Sequence, residues 1–321
     1  MCGIAGIIHR GKSSNVGSEM TAMLTALKHR GPDSSGFAVY GIPKADDYLM
    51  RIKVAEQEDM GKGHGIMELI EQRIIEVENI LSDHGATIKE RDNATPYALR
   101  LVISQKGKIE DMAEHIEEID GVEILSLGNA LELLKDLGDA STVSEQYGLG
   151  TFEGTHAIGH TRMATESDVD IRSAHPYWAF PYNDISVVHN GQITNYWMMR
   201  REMERMGHRF MSDCDSELLA VYTAHNLANG WQLEDSLKES VEKIDGVFTY
   251  LVATRNQLGM AKDSMAAKPL VLFEGDDMIA MASEEVAIRS ILPQEIDTYD
   301  PYDAVSYTHL RAHETEADRV C

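Results

Sequence analysis

The sequence predicts an α+β protein in which two β-sheets pack face to face between helical layers, a four-layer αββα sandwich carrying a small α/β insertion. Two observations carry the prediction. The second half of the chain is strand-rich, with apolar segments at 156–161, 185–189, 247–254, 269–273 and 278–282, and helical patterns at 196–206 and 216–227 that would lie outside them. Between residues 44 and 150 the pattern changes to alternating helix and strand, which reads as a separate module.

Taken in order, residues 3–9 (Gly-Ile-Ala-Gly-Ile-Ile-His) form a short apolar run suited to a buried strand, with Cys2 at its exposed start. Residues 20–27 have helical spacing. The segment His29-Arg30-Gly31-Pro32-Asp33-Ser34-Ser35-Gly36 is a turn and 37–40 a strand. Ile66, Leu69, Ile70, Ile74, Val77 and Leu81 mark an amphipathic helix, with Gly85 as its stop. A strand (98–104), a helix (108–119), a strand (122–127) and a helix (129–137) follow. Segment 44–150 holds 23 Asp and Glu against 11 Lys and Arg, so its net −12 is half of the chain's −24. The expected organisation is one discontinuous domain (2–43 and 151–304), an acidic insertion (44–150) and a tail (305–321). Residues 305–315, Val-Ser-Tyr-Thr-His-Leu-Arg-Ala-His-Glu-Thr, read as the translation of a transposase sequencing adapter. The tail is therefore expected to be non-native, and His309, His313 and Cys321 are not taken as metal ligands.

At 321 residues with 43% apolar content the chain can bury a full core. It shows no basic leader, and apolar runs such as 247–253 stop well short of a membrane span, so the expected location is the cytoplasm. Three cysteines are too few for a disulfide framework or a four-thiolate cluster. A charge of −24 repels nucleic acid and anionic membranes.

The chemistry begins at Cys2. Removal of Met1, favoured before a small side chain, leaves a cysteine with its own α-amine, a nucleophile and a base in one residue. Three downstream segments complement it. Gly159-His160-Thr161-Arg162-Met163-Ala164-Thr165 puts an arginine just past a strand, where a guanidinium can grip a carboxylate bidentately or lie on the surface. Val188-His189-Asn190-Gly191 offers an amide beside a glycine N–H, either an oxyanion pair or an ordinary turn. Ser212-Asp213-Cys214-Asp215-Ser216-Glu217 opens a helix, with Asp215 either an ammonium ligand or a cap. Gly6 to Ser13 also satisfies G-x-x-x-x-G-K-[ST], but a phosphate loop needs a preceding strand, and these residues are better used as one.

Together, Cys-Gly-Ile-Ala-Gly, His-Arg-Gly-Pro-Asp-Ser-Ser-Gly, Gly-His-Thr-Arg, His-Asn-Gly and Asp-Ser-Glu make the chain resemble the class II glutamine amidotransferases from 2 to 40 and from 156 to 292. The resemblance implies the N-terminal-nucleophile hydrolase fold, with 2–43 and 151–304 as the amidotransferase domain. It implies that Cys2 is the nucleophile, that Asn190 and Gly191 form the oxyanion hole, and that Arg162 and Asp215 hold the glutamine head group. Arg30 would support the terminus, and Thr165 and His175 complete the candidate substrate-binding set. Met163 departs from the aromatic residue of several members. The implied reaction releases ammonia from glutamine through a γ-glutamyl thioester. With no dinucleotide, flavin or ATP-pyrophosphatase motif on this chain, it looks most like the separate amidotransferase subunit of archaeal-type glutamate synthase, or of N-methylglutamate synthase. No cofactor is expected here; FMN and an iron–sulfur cluster are expected on the partner subunit. The alternatives are the amidotransferase part of an asparagine-synthetase-like or other class II amidotransferase and a non-catalytic regulatory homologue.

Overall fold

The computed structural model describes residues 2–43, 47–61, 63, 65–163 and 171–300, with the backbone of 310–311. In chain order the elements are β1 (Gly3–His9), α1 (Val16–Ala26), β2 (Ser34–Tyr40), β3 (Asp47–Lys53), α2 (Gly65–Asp83), β4 (Thr87–Thr95), β5 (Ala98–Ser104), α3 (Ile109–Glu117) and β6 (Glu123–Gly128). They continue with β7 (Leu131–Leu137), α4 (Ala140–Gln146), β8 (His156–Arg162), β9 (Tyr177–Trp178), β10 (Ser186–Ile193), α5 (Tyr196–Arg205), α6 (Asp215–Ala228) and α7 (Leu233–Lys243). The last are β11 (Gly246–Thr254), β12 (Gln257–Lys262), β13 (Val271–Glu274), β14 (Met278–Ala282), α8 (Glu285–Arg289) and β15 (Leu310–Arg311).

A six-stranded sheet, β13-β14-β1-β8-β2-β7, faces a five-stranded sheet, β15-β12-β11-β10-β9. β1 shows why its sequence is apolar throughout. Ile4 and Ile8 point into the core shared with Val188, Leu251 and Leu258 of the second sheet, whereas Ala5 and Ile7 point outward onto Met20, Met23 and Leu24 of α1. A strand buried on both faces loses the polar alternation of a half-exposed one. On the far side, Val187, Tyr250 and Val252 pack against Leu218, Leu219 and Leu237 of α6 and α7. The result is the expected four-layer αββα sandwich. The Gly6 to Ser13 motif is strand as far as His9. No helix among the described residues is long and apolar enough to cross a membrane.

The third sheet, β4-β5-β3-β6, is built entirely from residues 47–128 and carries α2 and α3 on its apolar face. Two readings of this region are corrected. Residues 129–137 were expected to be a helix, but β7 pairs with β2 from Tyr40↔Leu131 to Ser34↔Leu137. By strand pairing the segment from Leu131 therefore belongs to the first sheet, and α4 joins α1 in the outer layer, so the module ends near 129 rather than 150. The reason is that β7's polar residues are buried and paired. Glu132 binds Arg51 and Arg100, and Asp136 accepts from the hydroxyls of Tyr97 and Tyr147. β4, absent from the expected elements, is a charged, exposed edge strand (Thr-Ile-Lys-Glu-Arg-Asp-Asn-Ala-Thr), whose composition blocks further pairing and hides its period. Of the expected adapter-derived tail, only the 310–311 pairing with Gln257 and Leu258 is described; the rest of 305–321 lies outside the described residues.

Gly36, in β2, lets the His175 backbone cross it: a Cβ there would fall 2.0 Å from the His175 carbonyl oxygen. Gly36→Ala is expected to cost about 3 kcal/mol, because backbone rather than a flexible side chain must shift. Urea unfolding of the variant checks this.

Candidate active site

Sheet register assembles the site. β1 runs antiparallel to β8 with Gly3 opposite Thr161, so Cys2 emerges beside Arg162 and Met163. The Cys2 carbonyl oxygen accepts from Arg30 Nε at 3.0 Å and from Asn190 Nδ2 at 3.0 Å. Arg30 is anchored in turn by Glu284, whose carboxylate lies 2.5 Å from Nη1 and 3.1 Å from His29 Nε2. Burial opposes ionisation of Glu284, but its bonds to Arg30 and His29 hold it below the usual carboxylate range. The Cys2 Sγ lies 3.4 Å from the Met163 N–H, a donor aimed at the sulfur, and 3.8 Å from the Met163 carbonyl oxygen.

A cavity of about 590 Å³ opens over the thiol. Cys2, Arg30, Arg162, His175, Asn190, Gly191 and Asp215 all line it, so residues from six separate stretches of sequence converge. Thr165 lies outside the described residues. Gly191 has φ of +141°, and a Cβ there would meet the Val247 carbonyl oxygen at 2.0 Å, so β10 and β11 can close only over a glycine. Asn190 donates to the Cys2 main chain and to Ser283 Oγ at 3.3 Å, so its amide nitrogen holds the Cys2 backbone.

Asp215 does not cap its helix. The N-cap position of α6 is Cys214, which makes no side-chain capping bond. The Asp215 Oδ2 accepts from the Ile193 N–H at 2.8 Å, and Oδ1 lies 3.3 Å from Ser216 Oγ and 3.9 Å from His189 Nδ1. The carboxylate thus sits in the cavity wall with Arg162, one group for each charge of an amino-acid head group.

Several lining residues were not among the candidates. His160 and His189 stood inside the quoted motifs as neighbours of Arg162 and Asn190, whereas Lys268 and Ser173 had no signal at all. His160 stacks on His175 at 4.1 Å between centroids, and His189 donates to or accepts from Ser216 Oγ at 2.7 Å. Burial, with the neighbouring His189 and Arg162, pushes His160 down to about 3. His175 is driven well below its ordinary value by burial beside His160. Burial also lowers His189, against the pull of Asp215. Burial thus favours the neutral form of all three rings.

This depression has a stability consequence. Between pH 6.5 and about 3 the unfolded chain binds a proton at His160 that the folded chain does not. The stabilising contribution is whole above pH 6.5 and declines as pH falls, by about 2 kcal/mol at pH 5. Urea unfolding at pH 7.5 and pH 5 measures it, and His160→Asn is expected to flatten the dependence by that amount.

The fold is that of the N-terminal-nucleophile amidotransferases. Glutamine phosphoribosylpyrophosphate amidotransferase of B. subtilis superposes with a TM-score of 0.56 at 16% identity, over 97% of this chain and 49% of that one. A family model described as the glutamine amidotransferase domain matches residues 160–290. The protein named Putative glutamine amidotransferase of Methanothermobacter thermautotrophicus is 40% identical over 311 residues, 96% of this chain and 99% of that relative. The glutamine amidotransferase-like protein GlxB of Rhizobium meliloti is 30% identical over 293 residues, 91% of this chain and 92% of its own length. The chain belongs to the class II glutamine amidotransferase family.

Proposed function

We propose that this chain hydrolyses glutamine through Cys2 and, in the cytoplasm, hands the ammonia to a separate FMN-dependent glutamate synthase subunit, or to its N-methylglutamate synthase counterpart. The observation that carries the hydrolytic part is the convergence of Cys2, Arg162, Asn190, Gly191 and Asp215 on one cavity. Arg162 takes the α-carboxylate of glutamine and Asp215 its α-ammonium, which delivers the δ-amide to Sγ. The α-amine of Cys2 accepts the thiol proton as sulfur attacks the amide carbon. Asn190 and the Gly191 N–H face the developing oxyanion. For Asn190 this requires its amide to turn from the Cys2 carbonyl, a donor exchange within one cavity. The C–N bond breaks, the leaving amine takes a proton and departs as ammonia, and water hydrolyses the γ-glutamyl thioester to glutamate and free thiol. Arg30 fixes the nucleophile throughout, and His175 forms part of the substrate wall.

The acceptor half rests on sequence resemblance alone. The test is glutamine hydrolysis with and without an FMN-dependent synthase subunit, 2-oxoglutarate and reductant. Coupled glutamate formation supports the reading. ATP-dependent asparagine formation from aspartate, with no response to 2-oxoglutarate, replaces it with the synthetase alternative.

A further inference from the structure

The insertion reaches the walls of the Cys2 cavity through buried charge. Glu123, on β6, is 5% exposed, with its carboxylate 2.9 Å from Lys53 Nζ and 3.6 Å from Arg172 Nε. Lys135, on β7, is 4% exposed and faces Glu123 electrostatically. Its ammonium donates to the carbonyl oxygens of Ala174 at 3.1 Å and Arg172 at 3.4 Å, and lies 5.3 Å from the centre of the Tyr177 ring. Those two carbonyls flank Ser173 and precede His175, both of which line the cavity. The 171–175 segment belongs to no helix or strand, so it lacks a ladder to fix it, and Lys135 supplies bonds that a ladder would otherwise make.

The opposite wall is held in the same way. Glu217, 1% exposed, accepts from the N–H groups of Met211 and Ser212 at 2.6 and 2.7 Å, directly before Asp213, Cys214 and Asp215. Lys135 is among the charges that favour ionised Glu217 against its burial. A buried ion cluster of this kind is a poor source of net stability, since apolar residues of equal volume would serve as well. Its bonds are directed at the main chain of the cavity walls, which is what a positioning role requires.

We infer that the insertion is part of the amide-donor site: Glu123, acting through Lys135 and Arg172, positions the 171–175 wall against the substrate. Glu123 and Lys135 are then positioning residues, and the inference rests on glutamine occupying the Cys2 cavity.

Two Cys2 inactivators test it, each followed by peptide mass mapping. A glutamine-like diazo-ketone needs the shaped cavity, whereas iodoacetamide needs only the thiol. In Lys135→Met the ratio of diazo-ketone to iodoacetamide inactivation rates is expected to fall roughly tenfold, the scale of a small misplacement, with the iodoacetamide rate held. Lys135→Arg, which keeps charge and donors, is expected to restore most of the ratio. If Lys135→Met yields no folded protein, the near-isosteric Glu123→Gln makes the same measurement. An unchanged ratio, or an equal fall in both rates, overturns the inference. A wild-type chain that ignores the diazo-ketone overturns the glutamine reading and this inference with it, whereas a selective wild type with an unchanged variant overturns this inference alone.

Discussion

Cys2→Ala is expected to lower glutamine hydrolysis by at least about a thousandfold while leaving the fold intact, because the variant lacks the sulfur proposed to form the thioester. The thiol is partly exposed, and the contacts shown for it are to the Met163 main chain, so its loss opens no cavity in the core. Cys214 lines the same cavity but is not expected to substitute. Burial and the adjacent Asp215 carboxylate push its thiol up, so little thiolate forms there at neutral pH. The diazo-ketone adduct should therefore map to Cys2 alone. Adding a residue before Cys2 should be as damaging as the alanine substitution, since it removes the α-amine from the nucleophile. Undiminished glutaminase activity in Cys2→Ala, or an adduct on Cys214, would refute the assignment.

Asp215→Asn should weaken glutamine binding by roughly 2–4 kcal/mol, the cost of leaving the α-ammonium without its partner in a desolvated site. The geometry makes this a clean substitution. The asparagine oxygen still accepts the Ile193 N–H now bound at 2.8 Å, and no capping bond is lost because Asp215 makes none. The change should appear in KM for glutamine, with Tm nearly constant. A lowered Tm with unchanged KM would mean that the carboxylate only braces β10 against α6. His189, 3.9 Å away, is held below its ordinary value by burial against the pull of Asp215.

The sequence by itself determined the class of fold and pointed to Cys2, Arg30, Arg162, His175, Asn190, Gly191 and Asp215, all of which line one cavity. Cys2 before a buried apolar strand, an arginine past Gly159, an Asn-Gly pair after Val188 and an acid at Asp215 are local patterns, each with a chemistry that its residue types limit. Their convergence was legible only through resemblance, since no spacing brings residue 2 to residue 190. Tertiary structure alone decided what depends on distant partners. Leu131-Glu132-Leu133-Leu134-Lys135-Asp136-Leu137 has apolar spacing compatible with helix or strand, and it is a strand because Arg51, Arg100, Tyr97 and Tyr147 arrive to satisfy Glu132 and Asp136. The edge strand β4 carries no apolar period, because only one neighbour and solvent surround it. Lys268 and Ser173 reach the cavity from segments without a motif. The tie from Glu123 through Lys135 to the cavity wall is a matter of buried charge, and a charged residue's sequence neighbours do not reveal whether its counter-charge lies in water or across a sheet.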